Sequence, residues 1–167
     1  MNTRAPHPHP SERGAIAIEF ALSIIILVIL IFGCIGVSMG FYTYEVVNEY
    51  ARDATRYAIV HGNGCSFASG PSAVITPCSI GTGGTANTAL KAYLNNQIYP
   101  GINGNNLTVN TTFAPGPGAT SCNNPGFCNG AGDQVTVQVT YPYLYNIPFI
   151  PQNSFTMSAT STMVISQ

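Results

Sequence analysis

Charge is scarce in this chain. Only 7% of its 167 residues are charged, against ~25% in ordinary soluble domains. Beyond His61 the formal charges are Lys91 and Asp133 alone. With no basic patch to neutralise a phosphate backbone, nucleic acid is excluded as a partner. Catalysis fares no better, because the region from His61 onward holds one histidine, one lysine and one aspartate, too few for an acid–base pair or a poised triad. His61 stands beside glycines at an expected helix end, which is a capping or turn position. Gly81-Thr82-Gly83-Gly84 lacks the lysine that a phosphate-cradling loop requires. His7 and His9 alternate with prolines in a solvated tail. No catalytic, cofactor-binding or metal-binding residue is assigned, no cofactor is expected, and the chain is read as a non-enzyme.

Apolar residues, by contrast, are concentrated in one run from Ala15 to about Val37. As a helix this run is about 35 Å long, enough to cross the ~30 Å hydrocarbon core with some tilt. It is too long for the apolar core of a secretory signal, and no small-residue cut site follows it. Glu19 lies near its start. A carboxylate inside the membrane costs about 3 kcal/mol on insertion scales, so an acid at that place marks a functional site. The bland alternative is that Glu19, only one turn inside the run, snorkels to the interface.

Five cysteines divide between the two parts of the chain. Cys34 lies in the apolar run, where it reads as a small buried side chain. Cys65, Cys78, Cys122 and Cys128 lie beyond it, in a loop-rich region of low charge, which fits two disulfides in an oxidising compartment. Three pairings are open; Cys65–Cys78 and Cys122–Cys128 each close a short local loop. Zinc needs tighter spacing than either pair offers. The basic residues do not orient the span, since Arg4 and Arg13 before it balance Arg52 and Arg56 after it. The cysteines do: the C-terminal region belongs outside the cytoplasm.

Residues 1–12 are polar and proline-rich, an unstructured leader. Beyond the membrane run, Val46, Val47, Tyr50, Ala54, Tyr57 and Ala58 recur at helical spacing, with Glu45, Glu49, Arg52 and Arg56 between them. One helix from Ala15 to Val60, about 69 Å long, would be apolar all round below and one-sided above. His61 to Gly64 end it, and a loop then runs to Gly84. Thr85 caps a second helix over Ala86 to Ile98, stopped by Pro100-Gly101. Period-2 alternation marks strands at Leu107–Phe113, Val135–Tyr141 and Met157–Ile165. Pro142, Pro148 and Pro151 confine the intervening stretch to loop. Its aromatic part, Tyr141–Phe149, is either a contact patch or a lid over the sheet. The fold class is α+β: a long N-terminal helix on a small antiparallel sheet with a second short helix.

The order Gly14-Ala15, then Glu19-Phe20, resembles the leader of type IVb Flp-type prepilins, in which a membrane peptidase cuts after the glycine. The wider run Arg13-Gly14-Ala15-Ile16-Ala17-Ile18-Glu19-Phe20-Ala21-Leu22 resembles the TadE-like family of minor pseudopilins. So does Ala51-Arg52-Asp53-Ala54-Thr55-Arg56-Tyr57-Ala58. More loosely, the alternating valines ahead of a proline-rich aromatic loop, Val135 to Pro148, are also similar. The resemblance implies a pilin-like protein cut between Gly14 and Ala15, with Glu19 and Phe20 serving processing or assembly. It implies as partners the prepilin peptidase, the major Flp-type pilin and other pseudopilins, and the inner-membrane assembly platform. Ala17 with Ala21, and Gly36 with Gly40, are small pairs that allow close helix packing.

The organisation that follows is a cytoplasmic leader (1–14), a transmembrane helix (15–37), its extracytoplasmic continuation (38–60) and a disulfide-bonded head (61–167). The expected place is the bacterial inner membrane, single-pass in the lipid bilayer, N-terminus cytoplasmic, in the biogenesis of adhesive pili. The rival reading is an uncleaved, single-pass periplasmic binding or structural protein.

Overall fold

The structure, a computed structural model, describes residues 10–62, 66–69, 74–77, 80–81, 83–97, 99–122, 128–145, 151 and 153–166. Helix α1 runs from Pro10 to Val60 without interruption, 51 residues, or about 77 Å. It starts earlier than Ala15 and takes up residues 10–12 of the supposed unstructured leader. Proline is tolerated in the first turn, where its φ is already helical and no N–H is needed.

The two halves of α1 differ in what they touch. Below Gly40 the described apolar side chains face largely outward, with Ile16, Phe20, Ile26 and Leu30 all exposed. Above Gly40, Thr43, Val46, Val47, Tyr50, Ala51, Ala54, Thr55 and Ala58 are buried. These positions advance by alternate steps of three and one, the stripe that keeps one helix face inward. Alanines in that stripe let the backbone come close to what covers it. Thr55 Oγ1 returns its hydrogen bond to the Ala51 carbonyl at 2.7 Å, so its hydroxyl is buried with a partner.

The cover is a three-stranded antiparallel sheet in the order β3-β4-β5: Thr108–Ala114, Gln134–Tyr145 and Asn153–Val164. Its register pairs Val109 with Val139 and Val139 with Ala159, and the odd residues of β4 lie inward. Val135, Val137, Val139 and Tyr141 are buried on this face with Val109, Met157 and Ala159. On the other face Thr136 and Thr162 share a hydroxyl hydrogen bond of 2.9 Å. Helix α2, Gly84–Asn95, buries Ala86, Leu90 and Leu94 into the same core. Asn87 Oδ1 accepts the backbone N–H of Thr111 at 2.7 Å, tying α2 to β3. Each fully buried Leu or Val contributes about 1.5–3 kcal/mol.

Several expectations are corrected. The stretch between His61 and α2 is not all loop: β1, Ser66–Ser69, pairs antiparallel with β2, Val74–Pro77. Too short for a period to show, these strands carried no sequence signal. Thr85 does not cap α2. The cap is Gly83, at φ 56° and without a side-chain bond, and Thr85 lies inside the first turn. Helix α2 ends at Asn95, before Pro100, with Asn96 donating to the Tyr93 and Leu94 carbonyls; Ile98 lies outside the described residues. Pro142 does not end β4, which continues to Tyr145 opposite Asn153. The neighbour β3 stops at Thr108, opposite Thr140, so Pro142 sits where β4 has a strand on one side only, a place proline tolerates. Of the aromatic stretch, Tyr141–Tyr145 is therefore strand, and 146–149 lie outside the described residues.

Candidate functional site

The residues singled out at the N-terminus all lie on α1. Gly14 and Ala15 are exposed within the helix, and a Cβ placed on Gly14 meets nothing within 4 Å. Glu19 follows Ala15 by one turn, so the two share a helix face. Ser23 continues that face, its hydroxyl donating to the Glu19 carbonyl at 2.9 Å. Phe20, Ala17 and Ala21 are exposed as well. Cys34 is a free thiol on the outer surface of the same apolar stretch. This half of α1 presents a continuous apolar surface with one carboxylate near its start, and it is long and apolar enough to anchor the chain in a membrane, with a mean hydropathy of 3.1 in its most apolar window.

The second small pair is placed differently. Gly40 is buried under Tyr143, whose ring carbon would lie 3.8 Å from a Cβ at that position. Tyr143 also donates its hydroxyl to the Gly36 carbonyl at 3.2 Å. Gly36 and Gly40 thus receive a side chain of this chain's own sheet, while Ala17 and Ala21 are uncovered.

Above the apolar half, Arg52 pairs with Glu49 and Arg56 with Asp53, each at 3.5 Å and one turn apart. These exposed pairs are worth about 0.3–0.5 kcal/mol each and keep the outer helix face polar. His61 closes the helix: its ring stacks on Tyr57 at 3.8 Å and its Nδ1 lies 2.8 Å from the Tyr57 carbonyl. Tyr57 stacks in turn on Tyr93 of α2 at 4.2 Å. The turn role expected for His61 is where the structure puts it.

Asp133, the head's lone carboxylate, is fully buried at the start of β4. Its Oδ2 accepts the Gly130 N–H at 3.1 Å and its carbonyl accepts the Ile165 N–H at 2.7 Å, so it builds a corner. Among the described residues no three His, Cys, Asp or Glu side chains stand together as a metal set requires. Tyr50, buried beneath the sheet, donates to the Gln97 carbonyl at 3.3 Å. Burial, and then the neighbouring Tyr99, push its hydroxyl above the usual 10.0.

Cys122 and Cys128 lie with their Cα atoms 4.7 Å apart in the connection between β3 and β4, within reach of a disulfide. The other expected pair, Cys65 and Cys78, lies outside the described residues. Of the stretch Tyr141–Phe149 that the sequence offered as a contact patch or a lid, Leu144 is exposed on the outer face of β4, while Phe155, which the sequence did not single out, is exposed beside α1. The signal available was the apolar Leu144 at an outward-facing position among threonines and glutamines.

No curated protein and no solved structure matches the chain. A family model does match, over residues 14–56, roughly a quarter of the chain. That stretch lies within α1, from Gly14 to Arg56 on its outer polar face. The family is described as TadE-like protein, and residues 14–56 of the long helix are similar to it.

Proposed function

We propose that this protein is a minor pseudopilin of the Tad, or Flp, type IVb pilus system, acting by helix packing and protein–protein contact. The observation that carries the reading is the extent of the TadE-like match: it covers both the uncovered apolar half of α1 and the half that holds the head. The match supports an association with Tad pili. The finer role draws on the chemistry of Gly14 to Phe20.

A membrane peptidase cuts between Gly14 and Ala15, leaving the apolar run whole and a new ammonium on Ala15. Glu19 then meets the terminal amine of a neighbouring subunit. A buried ion pair of this kind does little for stability but fixes register between helices. Before assembly the apolar half holds the subunit in the inner membrane, N-terminus cytoplasmic and head outside. During assembly the same surface packs against pilin helices, with Ala17 and Ala21 permitting close approach. The peptidase, the major pilin, other pseudopilins and the inner-membrane platform are the partners. In this reading Cys65–Cys78, which flank β1 and β2 in the chain, and Cys122–Cys128 are oxidised.

The test is the intact mass and N-terminal sequence of the protein extracted from membranes without reduction. The expected product starts at Ala15 and has four oxidised thiols. A chain that retains residues 1–14 overturns processing and leaves the uncut anchored periplasmic protein as the reading.

A further inference from the structure

The β4–β5 pair runs the length of the upper half of α1. At the top, the Ser166 N–H donates to the Ile59 carbonyl at 3.3 Å. At the bottom, the Tyr143 hydroxyl donates to the Gly36 carbonyl at 3.2 Å. Gly36 belongs to the apolar run Ala15–Val37, so the lower end of the strand pair stands where that run leaves the membrane.

At this end β4 departs from the polar–apolar alternation that β5 keeps. Higher up, the outer face carries Thr136, Gln138 and Thr140 on β4, with Ser158, Thr160 and Thr162 opposite them on β5. Lower down the outer face carries Pro142 and Leu144, opposite Thr156 and Ser154, and Leu144 is 69% exposed. On the helix-facing side Phe155 is 47% exposed, and Phe41 of α1 is 70% exposed. Each face of the hairpin end therefore exposes a large apolar side chain, Leu144 on the outer face and Phe155 on the inner. Between them α1 and the strands leave an open groove of about 770 Å3, lined by Gly36, Gly40 and Phe41 on one side and Tyr145, Phe155 and Met157 on the other. The rings of Tyr143 and Tyr145 lie 5.3 and 6.5 Å from that of Phe155. No charged residue occurs after Asp133.

We propose that this end of the head is a second membrane contact: Leu144, Phe155, Tyr145 and Phe41 seat in the interfacial zone of the bilayer that α1 crosses, and lipid fills the groove. The inference rests on the reading of α1 as a membrane helix. Lipid is favoured over a protein partner because the patch is continuous with the outward-facing side chains Ile35, Val37 and Met39 of α1. Tyrosine with aliphatic side chains and no charge is also the composition of interfacial anchors. A subunit anchored by one helix is free to tilt in the bilayer, whereas one whose head also touches the interface holds its tilt and the height of its head. Withdrawal of the subunit into an assembly then exchanges lipid on this patch for protein.

The chain contains no tryptophan, so single tryptophans report position without background. Leu144→Trp and Phe155→Trp are placed separately in the full-length protein, reconstituted in phosphatidylcholine–phosphatidylglycerol nanodiscs. Phe32→Trp marks the span and Thr160→Trp the exposed middle of β5. Quenching by lipids brominated high on the acyl chain is compared with quenching by aqueous acrylamide. The expected result is bromolipid quenching at 144 and 155 several-fold above that at 160, with blue-shifted emission. Acrylamide-accessible, lipid-insensitive tryptophans at 144 and 155, with Phe32→Trp still quenched by lipid, overturn the second contact and leave the membrane helix standing. An unquenched Phe32→Trp overturns the span, and the inference with it. Shielding of 144 and 155 from both quenchers means that protein covers the patch, which also overturns it. The two positions lie on opposite faces of the hairpin, so failure of one variant to fold leaves the other to decide.

Discussion

At Gly116 a side chain has no room. A Cβ there would run into the carbonyl oxygen of Gly132, in the corner where Gly132 and Asp133 bond to Ile165. At Gly40 the same addition would meet only the edge of Tyr143, at 3.8 Å. Gly116→Ala is therefore expected to destabilise the head by about 1–3 kcal/mol, and Gly40→Ala to leave it nearly unchanged, as read by chemical denaturation in detergent. Tyr50 gives a prediction in pH. Its hydroxyl is held above 10.0 by burial, so the fold prefers it neutral. That preference is fully present below pH 10 and is lost as pH rises through the folded-state value. Tyr50→Phe is expected to lose about 1 kcal/mol near neutrality, from the bond to Gln97. Above pH 10 its stability falls less steeply than that of the natural chain, which urea titrations across pH 8–12 measure directly. A steeper fall in the variant would contradict the assignment.

Among the elements, α1 carries two tasks along one axis. Its lower half is shaped for lipid, apolar at every angle, and its upper half for a sheet, with alanines and β-branched residues on one stripe. Ala54 lies at the centre of that stripe with no exposed surface. Ala54→Leu is expected to force the sheet outward at a cost of about 1–3 kcal/mol, lowering the thermal midpoint of the head without affecting insertion of the lower half. The sheet answers the helix by placing valines at alternate positions of β4, its central strand, with a neighbour on both sides. Register is firm here, since a one-residue slip would turn Val135, Val137 and Val139 to the outer face and bring Thr136 and Gln138 inward.

In the whole molecule the two halves of α1 make the head and the lower, lipid-facing part of the helix independent in stability and joined in position. This separation sets the expectation for Glu19, which touches no part of the head. Glu19→Gln is expected to leave membrane insertion and the head's thermal midpoint unchanged while reducing leader processing or incorporation into pili. Immunoblots of membranes and sheared pili, with N-terminal sequencing, check this. Unchanged processing together with unchanged incorporation would remove Glu19 from the assembly surface. The head itself offers neighbours almost no formal charge, so its contacts depend on shape, hydrogen bonds and the apolar hairpin end.

Much of this architecture was legible in the chain before folding, because each feature is a local pattern. The apolar run of Ala15–Val37, the stripe from Val46 to Ala58 and the alternation at Val135–Tyr141 are periods of one helix or one strand. Each period survives in any fold that buries one face. The Gly14–Leu22 order was likewise readable from neighbouring residues alone. Only the tertiary structure decided the rest. Whether Pro142 breaks a strand depends on where β3 ends, and whether Thr85 caps a helix depends on where the first turn is nucleated. That Tyr143 would occupy Gly36 and Gly40, and that Leu144 and Phe155 would stand at the membrane end of α1, follows from β4 running antiparallel to a helix that ends more than seventy residues earlier. Such contacts join residues distant in sequence, and no local period encodes the distance along one element at which another will meet it.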